Sequence, residues 1–110
     1  MPPRSTLSAA ERRASSRLRQ LLNEPGLLRG TVVEGHRKCG KSSCRCAVDE
    51  TARHRTLILC VSLDGKRSSV HIPLAWEVRV REWVARYGEI RELVEQLSRA
   101  SLQRLKDRQE

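Results

Sequence analysis

Asp64-Gly65 stands between two strand-like runs, Thr56 to Leu63 and Lys66 to Ile72, the second of which Pro73 ends. Two positions that tolerate positive φ between two such runs specify a two-residue β-hairpin. The turn also sets the pairing, because a slip of one residue sends every side chain to the other face. Leu63 then lies opposite Lys66, Val61 opposite Ser68, Leu59 opposite Val70 and Leu57 opposite Ile72. This face is expected to be the core face. The other face presents Ile58, Cys60, Ser62, Arg67, Ser69 and His71, and meets solvent, a groove of DNA or the amino-terminal helix. Free cysteines behave as small hydrophobes, so Cys60 reads as a buried thiol. His71 reads as a packing or sheet-face histidine rather than a base.

An earlier run, Leu28 to Glu34, has β-branched Thr31-Val32-Val33 at its centre and supplies a first strand. Between it and the hairpin lies His36-Arg37-Lys38-Cys39-Gly40-Lys41-Ser42-Ser43-Cys44-Arg45-Cys46, with three of the four cysteines on a C-x4-C-x-C spacing. Zinc takes four sulfur or nitrogen ligands in a tetrahedron. Cys39, Cys44 and Cys46 supply three from one loop, and His54, at the entry to the next strand, or His36, on the other flank, supplies the fourth. Unmetallated thiols and a redox or iron–sulfur role are the competing readings.

Outside the sheet the pattern changes to helical spacing. Ser8 and Glu11 form an S-x-x-E capping box ahead of Ala10, Ala14, Leu18, Leu21 and Leu22, and Pro25-Gly26 closes that helix near Asn23. Its other face carries Arg12, Arg13, Arg17 and Arg19, suited either to a phosphate backbone or to solvent. From Leu74 onward, Trp76, Val80, Trp83, Tyr87, Ile90, Val94 and Leu97 alternate four- and three-residue steps. Glu77–Arg81, Glu82–Arg86 and Glu95–Arg99 are expected as i,i+4 pairs. The front of this helix is expected to cover the sheet. Its rear, through Leu93, Leu97, Leu102 and Leu105, needs a partner: the amino-terminal helix or a second copy of the chain.

The expected architecture is therefore α+β, with an amino-terminal helix, a three-stranded antiparallel sheet holding a cysteine-rich loop, and a long carboxy-terminal helix. Residues 1–7 form a disordered arm. Residues 8–110 form a single domain, with helices over 8–24 and 74–106 and the sheet and loop over 27–73.

The chain has 110 residues and a formal charge of +9, with 22 Lys and Arg against 13 Asp and Glu. A balance of this kind favours partners rich in phosphate. Residues 25–73 hold nine of the bases and four of the acids, whereas residues 74–110 are close to neutral. The phosphate contacts expected from this distribution are Arg37, Lys38, Lys41, Arg45, Arg55, Lys66 and Arg67, with Arg12, Arg13 and Arg17 as an arm. No run of about 18 apolar residues suggests a membrane span. The amino terminus lacks an apolar signal core. A cytoplasmic setting follows as the expectation, and there reduced cysteines favour metal over a disulfide framework.

The segment R-K-C-G-K-x-x-C-R-C-A, the strand–Asp-Gly-Lys–strand hairpin and V-R-E-W-V-x-x-Y-x-x-I-R-E-L together resemble a family of small prokaryotic proteins that share a domain of unknown function. The residues that carry the resemblance are Cys39, Gly40, Lys41, Cys44, Cys46, Gly65, Lys66, Arg67, Pro73, Arg81, Trp83 and Tyr87, within about residues 27 to 98. Genes of that family often lie near transposase or other mobile-element genes, so the resemblance implies a mobile-element context. Family members often carry His-Gly-Pro-Tyr at the start of the second strand. Here the stretch is His54-Arg55-Thr56-Leu57, which removes an aromatic platform for base stacking.

Gly35 to Ser42 fits G-x4-G-K-S on paper, but a phosphate-binding loop of that type must lead from a buried strand into a helix, and Ser43-Cys44-Arg45-Cys46 does not open one. With no acid–base pair in position, an enzyme is not expected, a thiol-based one on Cys44 or Cys46 included. The leading expectation is a nucleic-acid-binding accessory protein, on DNA or RNA, with zinc in its loop. The alternative is a protein-interaction module that forms a homodimer or docks on a mobile-element enzyme through the carboxy-terminal helix.

Overall fold

The computed structural model describes residues 7–108. Apart from Leu7, the expected disordered arm lies outside the described residues. The elements follow in the order α1 (Ala9–Asn23), β1 (Gly30–Arg37), β2 (His54–Leu63), β3 (Lys66–His71) and α2 (Glu77–Asp107), with short 3-10 turns at Arg45–Ala47, Glu50–Ala52 and Leu74–Trp76. The sheet is antiparallel, in the order β1-β2-β3. These residues divide into two compact units: Leu28–Val84, and the segments up to Leu27 and from Ala85 on.

In the sheet unit the hairpin register is the expected one, with Leu63 opposite Lys66, Val61 opposite Ser68 and Leu59 opposite Val70. Asp64 and Gly65 take φ of 56° and 73°, the pair of positive values a type I′ turn requires. Ile72 lies just past the ladder, yet its N–H still donates to the Leu57 carbonyl at 2.9 Å. Leu57, Leu59, Ile72 and Val80 form the buried core, with Leu28, Val32, Val61, Trp83 and Val84 packed on it. Leu57 is fully buried, a gain of about 1.5–3 kcal/mol for a side chain of this size. Gly30 sits across from Val61, where a Cβ would come within 2.9 Å of the Cys60 carbonyl oxygen, so this strand start admits no side chain without a backbone shift. Trp76 and Trp83 meet edge to face at 6.3 Å between ring centroids, and the Arg79 guanidinium lies 4.3 Å from the Trp76 ring centre.

In the helical unit the capping box forms as expected. Ser8 Oγ accepts from Glu11 N at 3.1 Å, and Glu11 Oε1 accepts from Ser8 N at 3.2 Å. Ala14, Leu21, Ile90 and Leu93 are buried together, with Leu18 and Leu97 against them. The rear of α2 thus finds its partner in α1. The seam runs through Leu93 rather than Val94, which is 46 % exposed. The reason is geometric: a straight helix of 3.6 residues per turn drifts off a strict seven-residue repeat.

Two of the three expected i,i+4 pairs are replaced. Glu77 pairs with Arg81 at 2.8 Å, but Arg86 donates to the carbonyls of Pro25 and Gly26, and Arg99 reaches Glu92 at 3.5 Å. For Arg86 the Pro25 and Gly26 carbonyls, in the segment just past α1, offer two acceptors held in place by the backbone. Cys60 is exposed, contrary to its reading as a buried thiol, because it lies on the face of β2 opposite the Leu57, Leu59 and Val80 core.

Candidate metal centre and its basic loop

The loop between β1 and β2 starts and ends at one ladder pair, Arg37 opposite His54. Sixteen residues therefore leave the sheet and return to it at adjacent backbone positions. Gly40 takes φ +88°, which turns the chain sharply after Cys39. The Cys44 N–H closes that turn on the Lys41 carbonyl at 3.1 Å. Cys44 precedes the 3-10 turn Arg45–Ala47, which buries Cys46 to 1 % exposure. Asp49 ties down the far side, accepting from Thr51 N at 2.9 Å, Thr51 Oγ1 at 2.7 Å and Arg45 Nε at 3.0 Å. These contacts hold its carboxyl below the ordinary range, the Thr51 hydroxyl first among them.

This folding brings Cys39, Cys44, Cys46 and His54 together, with one ligand atom from each and all four within 4.8 Å of one another. Cys39 Sγ and Cys46 Sγ are 3.6 Å apart, and Cys44 Sγ and His54 Nε2 are 3.3 Å apart. A zinc tetrahedron with bonds of 2.0–2.3 Å has edges of roughly 3.5–3.8 Å, so small adjustments convert this group into a coordination shell. His54 takes the fourth corner. His36 lies in β1 opposite Arg55 and is not part of the group.

Backbone donors serve the sulfurs. The Cys39 N–H points to Cys46 Sγ at 3.3 Å. The Cys46 N–H is the main cause that lowers the Cys44 thiol, followed by the thiols of Cys46 and Cys39. The Cys39 N–H pulls the Cys46 thiol down as well, but burial and the two neighbouring thiols outweigh it and leave it raised. Thiols crowded in this way compete for one charge, a conflict that a divalent cation relieves. The four residues can hold a metal ion.

The basic residues fall into three groups. Arg37, Lys38, Lys41 and Arg45 are exposed on and beside the loop, with Arg45 Nη2 2.9 Å from Asp49. Lys66 and Arg67 are exposed at the start of β3, at the opposite end of the sheet from the loop. Arg12, Arg13 and Arg17 lie on α1, where Arg12 donates to the Leu7 carbonyl at 2.6 Å and Arg17 pairs with Glu89 at 2.7 Å.

Arg55 stands apart from all three groups. It is held by Glu34 and by both oxygens of Glu77, and Arg81 shares Glu77. Arg55 and then Arg81 hold the Glu77 carboxyl at about 2. The sequence hid the place of Arg55 in this cluster because Glu34 and Glu77 lie 21 and 22 positions from it, whereas Glu77 with Arg81 was legible as an i,i+4 pair. The strand alternation was the available signal, since it places Glu34, like Arg55, on the core-side face where α2 begins.

The family comparison decides one point at this stage, because the pattern of a domain family of unknown function, DUF6788, matches residues 8–82. The chain belongs to that family. DUF6788 so placed includes α1, the whole sheet and the metal-ligand group. It begins earlier and ends earlier than the stretch over which the sequence motifs were recognised. No curated protein and no solved structure matches the chain. No helix among the described residues is long and apolar enough to cross a membrane.

Proposed function

We propose that this DUF6788 protein is a small nucleic-acid-binding accessory module, without a catalytic step of its own, whose contact loop is clipped by a structural zinc ion. Cys39, Cys44, Cys46 and His54 are the ligands. The observation that carries the reading is their convergence within 4.8 Å inside a loop that exposes Arg37, Lys38 and Lys41. A cation at that position fixes the loop, so these side chains meet a phosphate backbone without first being ordered. Arg55 and Arg17, already held by carboxylates, serve structure in this reading. The mobile-element setting rests on the resemblance alone, as does a cytoplasmic location on composition alone.

Metal content and salt dependence test the reading together. Protein purified without affinity metal is expected to carry about one equivalent of zinc. Less than about a quarter of an equivalent would remove the metal. Contacts from the three or four loop cations predict that log K falls with log salt at a slope of about −3 to −4. A flat dependence, or no binding of DNA or RNA at low salt, would remove the nucleic-acid reading.

A second reading has its own observation. Val94, Leu102 and Leu105 are exposed along α2, a pattern suited to a second copy or a protein partner. It predicts a dimer by light scattering that Leu102→Asp or Leu105→Asp dissociates. A monomer unchanged by either substitution would end it.

A further inference from the structure

The sheet has one closed and one open face. Alternation along β1, β2 and β3 places Thr31, Val33, Arg37, Thr56, Ile58, Cys60, Ser62, Arg67, Ser69 and His71 on the open side. No carboxylate stands among these strand positions, and the three that belong to β3, Arg67, Ser69 and His71, are exposed. The pairing makes short rows across the sheet: Thr31–Cys60–Ser69, Val33–Ile58–His71 and Ser62–Arg67. Hydroxyls and small apolar groups fill the middle. Cations mark the two ends: Arg37 beside the cysteine loop and Arg67 beside the hairpin turn. Among the described residues, Arg37, Lys66 and Arg67 have no carboxylate partner.

We infer that this open face is a reading surface for the major groove of B-form DNA, with the β2–β3 ribbon entering the groove. The inference rests on the nucleic-acid reading above and names the surface and the form of the acid. The B-form major groove is about 12 Å wide and admits a two-stranded ribbon. The paired ribbon, Ile58–Leu63 with Lys66–His71, spans roughly 20 Å, with Arg67 at its turn end to meet one phosphate backbone and Arg37, on β1 beside the loop, past its other end. Phosphate contacts of that kind set position, whereas groups in the centre read base edges. On the ribbon, Ser62 and Ser69 offer hydroxyls that donate or accept and Ile58 offers apolar contact for a thymine methyl, with Thr31 and Val33 of β1 alongside. The A-form major groove of duplex RNA is deep and too narrow for side chains, so this face discriminates against it.

Fluorescence anisotropy of the metal-loaded full chain on a 20-base-pair DNA duplex, the matching RNA duplex and the single strand tests the assignment. Ser69→Glu and Thr31→Glu each put a carboxylate in the centre of the open face. Each is expected to weaken DNA-duplex binding by about tenfold or more, as like charges do when juxtaposed. Ser98→Glu, on α2, should change it less than about twofold. Circular dichroism checks that the variants fold, and Ser69→Ala provides a milder substitution that retains binding of the DNA backbone. Parent-like affinity in a folded Ser69→Glu protein overturns the inference and leaves the loop reading standing. So does tighter binding of the RNA duplex or the single strand. Absence of all nucleic-acid binding at low salt overturns both.

Discussion

In the helical unit the charge nearest the core is Glu11, whose side chain is 10 % exposed and is met by Arg104 at 16 %. In the sheet unit the comparable cluster, Arg55 with Glu34, Glu77 and Arg81, stands at the surface, with its guanidinium-bearing chain 41 % exposed. The helical unit therefore closes over its ion pair, while the sheet unit leaves its own on the rim and keeps one face bare. Screened surface pairs add little stability. A three-stranded sheet with one covered face also has little apolar area to hold a sixteen-residue loop. The difference implies that the loop relies on its four converging side chains, whereas the helices rely on packing, an N-terminal cap and a nearly buried ion pair.

If the proposed zinc is bound, removing it is expected to give the largest effect and the sharpest contrast. Metal binding energy in small sites is folding energy. Chelation, or Cys46→Ala, should abolish amide-exchange protection across residues 39–53. Protection in α1 and in α2 beyond Ala85 should persist. Loss of protection in both units at once would break the contrast between them.

Core truncation comes next. Leu57→Ala is expected to cost about 2–5 kcal/mol in denaturant unfolding. Leu57 is fully buried, and strands and α2 enclose it, so its site cannot collapse easily. Ile90→Ala, at 8 % exposure between two helices, should fall at the lower end of that range. A reversed order would show that the helical seam, not the sheet, is the better-packed region.

Local chemistry made most of the fold legible. The Asp64-Gly65 turn fixes the hairpin register, and Ser8 with Glu11 fixes the start of α1. The four side chains that could hold a metal were legible too, because three lie within eight positions and the fourth stands at a strand entrance. Strand ends were less so: β1 runs on to Arg37 and β2 starts at His54, since pairing across the loop mouth extends both beyond their apolar stretches. What sequence spacing could not show were the partnerships made by folding. Arg55 meets Glu34 and Glu77, Arg86 meets two carbonyls, and Cys60 lies in the open because the sheet is covered on one side.

Acid should distinguish the two ion clusters. The Arg55 and Arg81 guanidinium groups hold Glu77 at about 2, and Arg104, then Ser8, hold Glu11 below its ordinary value. Both carboxyls are lower in the folded protein than in the unfolded chain. Their contributions are therefore complete above about pH 4.5, the ordinary carboxylate value, and decline as pH falls below it. For Glu77 the loss extends down to about pH 2. Glu77→Gln should flatten the acid limb of the sheet unit's unfolding curve. An acid limb unchanged by Glu77→Gln would show that the rim cluster adds nothing.

The smallest expected effect lies at the start of α1. Ser8 Oγ accepts the Glu11 N–H, so Ser8→Ala leaves one first-turn donor without its side-chain partner. Caps of this kind contribute about 1 kcal/mol, and asparagine caps as well as serine. Ser8→Ala should lower helical-unit stability by about that amount, and Ser8→Asn should restore it. Glu11 keeps Arg104 in either variant, so the first turn frays without releasing the ion pair. Exchange in the cysteine loop should not change, because that loop is held from within the sheet unit by its own ligands. A response of the loop to this cap would mean that stability is shared between the two units, and the contrast drawn from Glu11 and Arg55 would then have to be abandoned.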